Sequence, residues 1–278
     1  MDEFTPTMIE TKNMRLNMTD GKLVFQNGTS EMLKYGETEI KRRAYRCRHD
    51  IVSAVLPGSV RRIADAAFSE CRNLTSITIP STVTSIAGDA FEYCVSLESV
   101  TIPEGVKTVC KGAFECSGIK SVSLPSSITR IGDNAFRYCE NLTSVTIPEN
   151  VTEIGENSFE FCKSLEKAEL PGGLSIISPR VFRYCENLKE ISFPEGVTRI
   201  CGGAFAGCTG LTTIRISKSV KDIHSSAFRD CPNITDIYYS GSKSDWRRVN
   251  IDNPGNEKLT GGGIFSTVKR AKIHFNCE

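Results

Sequence analysis

The sequence lacks a long hydrophobic run, a strong net charge and the cysteine spacings of a zinc site. No run of about 18 apolar residues occurs, so no membrane-spanning helix is predicted. The 34 basic and 33 acidic residues leave a net charge of +1, too little to attract nucleic acid or anionic lipid. No CxxC or CxxH pair is present, which argues against structural zinc. We therefore expect no nucleic acid, no membrane insertion, no metal and no small-molecule cofactor.

The N-terminus also lacks the features of a secretory signal peptide. MDEFTPTMIETK is acidic and polar, whereas a leader has a basic segment followed by an apolar one. From the residues alone we expect either a cytoplasmic protein or one whose leader is not part of this sequence.

A repeat of 23 residues runs through most of the chain. It is marked by a column of phenylalanines, with one shorter step of 22 residues: Phe68, Phe91, Phe114, Phe136, Phe159, Phe182, Phe205 and Phe228. A cysteine follows three residues after seven of them: Cys71, Cys94, Cys139, Cys162, Cys185, Cys208 and Cys231. In the short repeat, Cys116 comes one residue early. Self-similarity at such a period is typical of solenoids.

Each repeat is predicted to form one coil, as in LTSITIPSTVTSIAGDAFEYCVS at 74–96. Ser76–Ile79 alternates between polar and apolar residues, which indicates a short strand with one buried face. Pro80 lacks an N–H and ends that strand. A second extended piece precedes a turn that carries Phe91. The sequence thus predicts an α/β or mainly β solenoid whose coils are stable only when stacked.

The ends of the chain break the repeat, which predicts three parts. They are an N-terminal cap (1–36), the solenoid (37–239) and a C-terminal cap (240–278). Asn27-Gly28 within KLVFQNGTSEML predicts a hairpin over the first coil, and the phenylalanine column extends back to Tyr45. Ser242 or Ser244 is expected to cap a helix before Trp246. NPGNEKLTGGG is predicted to be a loop and KRAKIHF a closing strand.

The cysteines are predicted to be buried, reduced thiols. Eight lie at or next to the column position, and Cys110 and Cys201 share a second repeat position. Coils lie only about 4.8 Å apart, but side chains in one column point the same way, which disfavours disulfides between neighbouring coils. A free buried cysteine packs as a small hydrophobe.

The pattern LxxIxIPxxVxxIGxxAFxxCxx resembles the BspA-like class of leucine-rich repeats over about residues 37–239. The tail IYYSGSKSDWRRV…AKIHFN is similar to the C-terminal cap of bacterial members. The resemblance implies a right-handed leucine-rich-repeat superhelix with a parallel sheet on its concave face. It also implies a cell-surface or secreted protein that binds other proteins, extracellular matrix or glycans and has no enzymatic activity.

Two rows of outward-pointing residues are expected along the concave sheet. The first is Ser76, Ser99, Ser121, Ser144, Lys167, Glu190, Thr213 and Asp236, and the second is Thr78, Thr101, Ser123, Thr146, Glu169, Ser192, Arg215 and Tyr238. The Ser/Thr half also fits soluble, β-tolerant filler, whereas arginine and tyrosine are enriched at binding hot spots. We therefore predict ligand contacts at Lys167, Glu169, Glu190, Ser192, Thr213, Arg215, Asp236 and Tyr238.

A candidate aromatic strip occupies the position just before the column cysteine. Its members are Tyr93, Tyr138, Phe161 and Tyr184, with Arg137 and Arg183 beside two of them. Exposed apolar patches tend to mark interaction sites. The alternative is that each ring only covers the edge of the neighbouring coil.

One pair of residues could form a catalytic site and therefore bears on whether the protein is an enzyme. Cys201 and His224 are 23 residues apart, so they fall in one column of adjacent coils, where a thiol and an imidazole can form a nucleophile–base dyad. The position otherwise takes small residues, and Cys110 has no histidine partner. We therefore predict no enzyme but a binding scaffold for adhesion or partner recognition. The alternatives are a spacer or display module of a larger surface protein and a cytoplasmic interaction scaffold.

Overall fold

The computed structural model describes residues 20–252 and 271–276. These residues form a solenoid of about nine turns, and the predicted mainly β solenoid of 23-residue coils is confirmed. Each coil has a first strand, a shorter second strand and a turn that carries the column phenylalanine. Residues 1–19 of the predicted N-terminal cap and 253–270 and 277–278 of the predicted C-terminal cap, including the loop NPGNEKLTGGG, lie outside the described residues.

The strands and the one described helix have the following bounds. They are β1 (Gly21–Phe25), β2 (Ser30–Leu33), β3 (Glu39–Ile40), β4 (Ile51–Val55), β5 (Arg62–Ile63), β6 (Ser76–Thr78), β7 (Ser85–Ile86), β8 (Ser99–Thr101), β9 (Thr108–Val109), β10 (Ser121–Ser123), β11 (Arg130–Ile131), β12 (Ser144–Thr146), β13 (Glu153–Ile154), β14 (Lys167–Glu169), β15 (Ile176–Ile177), β16 (Glu190–Ser192), β17 (Arg199–Ile200), β18 (Thr213–Ile216), β19 (Asp222–His224), β20 (Asp236–Tyr239), helix α1 (Lys243–Trp246), β21 (Asn250–Asp252) and β22 (Lys272–Phe275).

Neighbouring coils stack with their strands parallel and in register. The even-numbered strands from β4 onward form the face predicted to be concave, called the concave face below. They fall into four hydrogen-bonded sections, of which the last has the order β16-β18-β20-β22. Glu190 pairs with Thr213, and Thr213 pairs with Asp236. Residues one period apart in the sequence are therefore neighbours in space, as the repeat predicts.

The phenylalanine column forms a continuous stack of rings through the core. All eight side chains are fully buried, and successive ring centroids lie 5.3–5.6 Å apart with interplanar angles of 15° or less. Tyr45 extends the stack by one ring, 5.0 Å from Phe68. The predicted extension of the register into the first coil is confirmed.

The cysteine column lies beside this stack and explains why cysteine recurs there. In all seven cases the Sγ atom donates a hydrogen bond of 3.0–3.2 Å to the carbonyl of the ring residue in the preceding coil, as from Cys162 to Phe136. A thiol is small and apolar, yet it satisfies this buried carbonyl. Burial raises the pKa of these thiols, to about 12 for Cys71, Cys139 and Cys231. The eleven cysteines of the described residues are all free.

Cys116 lies next to this column, as its spacing predicts, but the prediction of burial is wrong for four of the eleven described cysteines. Ser117 occupies the column position in the short coil, where it is buried and its hydroxyl lies 3.3 Å from Cys139 Sγ. Cys116 instead has φ 56°, like Tyr93 and Tyr138 of the aromatic strip, and is only half-buried. Relative to the other repeats, the short repeat lacks one residue next to Gly118. The chain is tightly packed there, since a Cβ on Gly118 would lie 2.1 Å from the carbonyl oxygen of Val95. Cys110 and Cys201 are also half-buried, and Cys47 is exposed.

The turns are joined by a third set of hydrogen bonds between coils. Phe91 N–H donates to the carbonyl of Ala113, and Tyr93 N–H donates to that of Glu115, each at 2.8 Å. Tyr93 and Asp89 have positive φ values of 55°. The N–H groups of these two residues, four apart in the sequence, and of Phe91 between them all point toward the next coil.

The described residues at both ends depart from the pattern of the coils. β1 and β2 form an antiparallel hairpin whose turn contains Gly28 at φ 80°, and β1 also pairs with β4. At the other end, Ser242 caps α1 and forms a reciprocal capping box with Asp245, as expected for one of the two serines. β22 pairs in parallel with β20 and is the predicted closing strand.

Candidate binding surface

The two predicted rows lie side by side on the concave face and change character at one boundary. Ser144 pairs with Lys167, and Thr146 pairs with Glu169, between β12 and β14. All residues before this boundary in both rows are exposed serines and threonines. Charged and aromatic side chains begin at β14, so the structure brings the predicted contact residues together into one half of the face.

The first charged pair of this half is already neutralised. Lys167 Nζ lies 2.6 Å from Glu169 Oε1 within the same strand, and both side chains are more than 60% exposed. An exposed pair of this kind contributes little stability. Together with Glu190, Ser192 and Phe193, it lines a shallow hollow.

The end of the second row is a sandwich of three side chains. The Arg215 guanidinium carbon lies 4.5 Å above the centre of the Tyr238 ring. The His274 ring stacks at 4.6 Å from Tyr238. Cation–π contact and stacking thereby fix the positions of Arg215 and Tyr238 on an otherwise open surface.

His274 is the functional candidate that sequence reasoning missed. Its Nε2 atom lies 2.8 Å from Asp236 Oδ1, and this hydrogen bond is the main reason that the pKa of Asp236 is lowered. Thr235 Oγ1 also donates to Asp236, at 2.9 Å. The signal was available in KIHF, because Ile273 and Phe275 alternate in step with Ile237 and Tyr239. Asp236 and Tyr238 are thus parts of a preorganised cluster.

A groove opens beside this cluster where the proline column ends. Proline follows the first strand of seven coils, but Ser217 and Ser240 take this position in the last two. The groove encloses about 380 Å³ and is lined by Phe193, Glu195, Arg215, Ile216, Ser217, Lys218, Tyr238 and Ser240. The replacement of a proline ring by a small hydroxyl side chain leaves room and adds polar groups.

The aromatic strip is a second stack of rings at the surface. Phe161 lies 4.6 Å from Tyr138 and 4.7 Å from Tyr184, nearly parallel to both. Tyr93 is 41% exposed and is separated from the stack by Cys116. At the far end a Cβ on Gly207 would lie 2.3 Å from the Tyr184 ring, so the ring extends over this glycine.

A buried carboxylate holds the arginines beside the strip. Glu160 is 1% exposed, and it pairs with Arg137 at 2.7 Å and with Arg183 at 3.2 Å. The two guanidinium groups lie 4.8 and 4.7 Å above the rings of Tyr138 and Tyr184. Stacked neighbours and arginines together cover much of the ring faces, so the edges and hydroxyls are what the strip presents to solvent.

The candidate dyad of Cys201 and His224 does not have the features of an activated nucleophile. His224 Nδ1 accepts a hydrogen bond from Ser226 N–H at 3.1 Å and lies 2.9 Å from Ser226 Oγ. Burial raises the pKa of the Cys201 thiol, whereas a nucleophilic cysteine requires a lowered one. Both observations argue against nucleophilic catalysis at this pair.

Within residues 20–252 and 271–276, no helix is both long and apolar enough to cross a membrane. The same residues contain no group of three or more His, Cys, Asp or Glu side chains arranged to hold a metal ion.

Comparison with known proteins identifies the repeat and the fold. A family model described as a BspA type leucine rich repeat region matches residues 38–166 and 111–235. A leucine-rich repeat protein from Bacteroides ovatus is 26% identical, covering 93% of this chain and 70% of its own, with a TM-score of 0.63. No curated protein matches the chain.

Two other solved structures are similar in sequence. A leucine rich cell surface protein from Faecalibacterium prausnitzii is 28% identical over 78% of this chain and 80% of its own, with a TM-score of 0.40. A leucine-rich repeat protein from T. pallidum is 30% identical over 64% of this chain and 72% of its own, with a TM-score of 0.46.

Proposed function

The chain belongs to the BspA-type leucine-rich-repeat family, and from this premise we propose that it binds a partner protein through the charged half of its concave face. Repeat scaffolds of this family generally serve protein interaction. We place the activity at the cell surface, in adhesion or host recognition, because BspA-like relatives are cell-surface proteins. The proposal assigns the chain no catalytic role.

The observation that carries the proposal is the boundary between β12 and β14. Side chains able to make specific contacts are confined to one side of it, where Arg215 and Tyr238 are held in place by stacking. A preorganised arginine and tyrosine lose little conformational entropy on binding, and both types are common at hot spots. The strip is less favoured as the main surface, since its ring faces are largely covered.

Two variants of the concave face test this assignment against a panel of extracellular-matrix proteins and glycans. Arg215→Glu and Tyr238→Ala are expected to weaken binding to the recognised partner by about tenfold or more, because each removes a positioned contact. The melting temperature should change little, since both side chains lie at the surface. Matched substitutions in the other half, Ser99→Glu and Thr101→Ala, should leave affinity unchanged.

The outcome also separates the alternative functions. If the Ser99 and Thr101 variants weaken a partner while the Arg215 and Tyr238 variants do not, the assignment to the charged half is wrong. Failure of the wild-type chain to bind any member of the panel favours the spacer or display module, in which the repeats only position other parts of a larger protein.

A further inference from the structure

We propose that the groove beside the Arg215–Tyr238–His274 sandwich binds the carboxylate of an acidic side chain in an extended segment of the partner protein. This inference rests on the proposed function, because it names the chemistry recognised by the same half of the concave face. It follows from the charges, the hydrogen-bond donors and the shape of the groove.

Arg215 is a positioned but uncompensated cation. Within the described residues it forms no ion pair, although it is exposed and its position is fixed by Tyr238. A guanidinium presents donors in a planar fork that matches both oxygens of a carboxylate. Its stacking on a ring means that little side-chain entropy remains to be lost when a ligand binds.

The formal charges of the residues that line the groove favour an anion. Asp236 accepts hydrogen bonds from Thr235 and pairs with His274. Glu195 lines the groove together with Lys218, so in the sum of the lining residues' formal charges the one offsets the other. The net charge that remains in the groove is the positive charge of Arg215.

The other polar groups of the groove add donors. Ser240 Oγ accepts a hydrogen bond from Lys218 N–H at 2.9 Å, which leaves its O–H proton for a ligand. Tyr238, whose phenol is a further donor, also belongs to the lining. A carboxylate accepts from all of these groups, whereas a neutral amide such as glutamine has one oxygen and competing donors of its own.

The geometry favours a peptide over a sugar as the occupant. Tyr238 has Arg215 on one side and His274 stacked on its ring, so it offers no open face on which a sugar ring can stack. The groove has a volume of about 380 Å³ and is lined by residues of three neighbouring coils, a distance that a short extended segment can span.

Calorimetric titration with two hexapeptides tests the proposal at low ionic strength. The probes are Ac-Ser-Glu-Ser-Glu-Ser-Glu-NH2 and its glutamine counterpart, and the full chain is used. We expect saturable binding of the acidic peptide only. Arg215→Gln should weaken it by about tenfold, the loss expected for one charge-assisted contact, and Arg215→Lys should weaken it less. Arg229→Gln is the matched control, because Arg229 is 73% exposed on the turn side and should have no effect.

Each other result overturns the proposal. These results are no saturable binding of the acidic peptide, equal binding of the glutamine peptide, or equal losses in the Arg215 and Arg229 variants. A heparin-derived sulfated disaccharide that binds more tightly than the acidic peptide and depends on Arg215 assigns the groove to a glycan instead. If Arg215→Gln leaves a panel partner bound while Tyr238→Ala releases it, the carboxylate site fails and the concave-face function stands.

Discussion

Two stacks of aromatic rings run along the solenoid, two residues apart in each coil, and they differ in burial and in backbone conformation. The phenylalanine column is fully buried, with centroids 5.3–5.6 Å apart. The strip of Tyr138, Phe161 and Tyr184 lies at the surface with closer spacings of 4.6–4.7 Å. Its residues have φ values of 58–63°, a left-handed conformation that costs a non-glycine residue about 1–2 kcal/mol.

The difference shows that aromatic rings at a repeated position stack on each other in neighbouring coils. How much such a stack contributes to stability depends on whether the rings are buried. Rings of the column remove large apolar areas from water. Rings of the strip gain contact with each other but keep solvent-facing edges and a strained backbone. We therefore expect the column to carry stability and the strip to be nearly neutral.

The largest effect on stability is expected at alkaline pH, because a row of buried thiols lies beside the phenylalanine column. In the folded chain burial raises the pKa of Cys71, Cys139 and Cys231 from about 9.0 to about 12. Above pH 9 the unfolded chain loses these protons and the folded chain retains them. Stability is therefore present below the unfolded pKa and falls as pH rises from about 9 toward 12.

Thermal unfolding in reducing buffer between pH 8 and pH 11 measures this dependence. Cys162→Ser keeps a hydroxyl donor, as Ser117 does naturally, and should make the pH dependence shallower by about 1 kcal/mol per pH unit. Cys47→Ser is the control, since Cys47 is exposed. Identical slopes for the Cys162 variant and the wild-type chain would show that the buried thiols do not govern alkaline stability.

The next effect is the loss of one ring from the column. Phe159→Ala removes a fully buried ring that stacks on both neighbours, and it should lower the free energy of unfolding by about 3–5 kcal/mol. Urea unfolding measures the loss. A cost below about 1 kcal/mol would mean that neighbouring coils collapse into the space.

The smallest change in stability is expected in the strip, at Phe161. Phe161→Gly loses two stacked contacts worth about 0.5–1.5 kcal/mol each but relieves the strain of the positive φ, so stability should change by about 1 kcal/mol or less. Phe161→Ala loses the same ring and keeps the strain, and it should be less stable than the glycine variant. Urea unfolding of the pair measures the difference. An alanine variant more stable than the glycine variant contradicts the strain at Phe161.

Much of the fold could be predicted because one repeat period determines the structure of nearly every coil. The spacing of the phenylalanines, the alternation within Ser76–Ile79 and the prolines after the first strands gave the coils, the strands and the rows on the concave face. The rows follow from stacking alone, so the placement of Arg215 next to Tyr238 was predicted as soon as the register was known.

What could not be predicted depends on breaks in the period. A one-residue deletion can be placed on either side of Cys116, and only packing at Gly118 shows that Ser117 keeps the column position. His274 follows Tyr238 by a spacing unrelated to 23, so its stacking was not visible from the repeat. The left-handed backbone conformation at the strip position had one indication in the sequence, which is the glycine Gly207 at the same position of a later coil.

The hydrogen bonds that join the turns also give the column of turns an electrical direction. The peptide unit of Ala90 and Phe91 accepts from Phe68 N–H on one side and donates to the carbonyl of Ala113 on the other, and the units of later coils repeat this orientation. Aligned peptide dipoles add up, as they do along a helix, whereas those of ordinary sheets largely cancel. The N–H groups of the turns point toward later coils, so the positive pole of this column of turns faces the C-terminal end. Elsewhere in the coil the direction is reversed, because N–H groups such as those of Thr84 and Ala87 donate to the preceding coil.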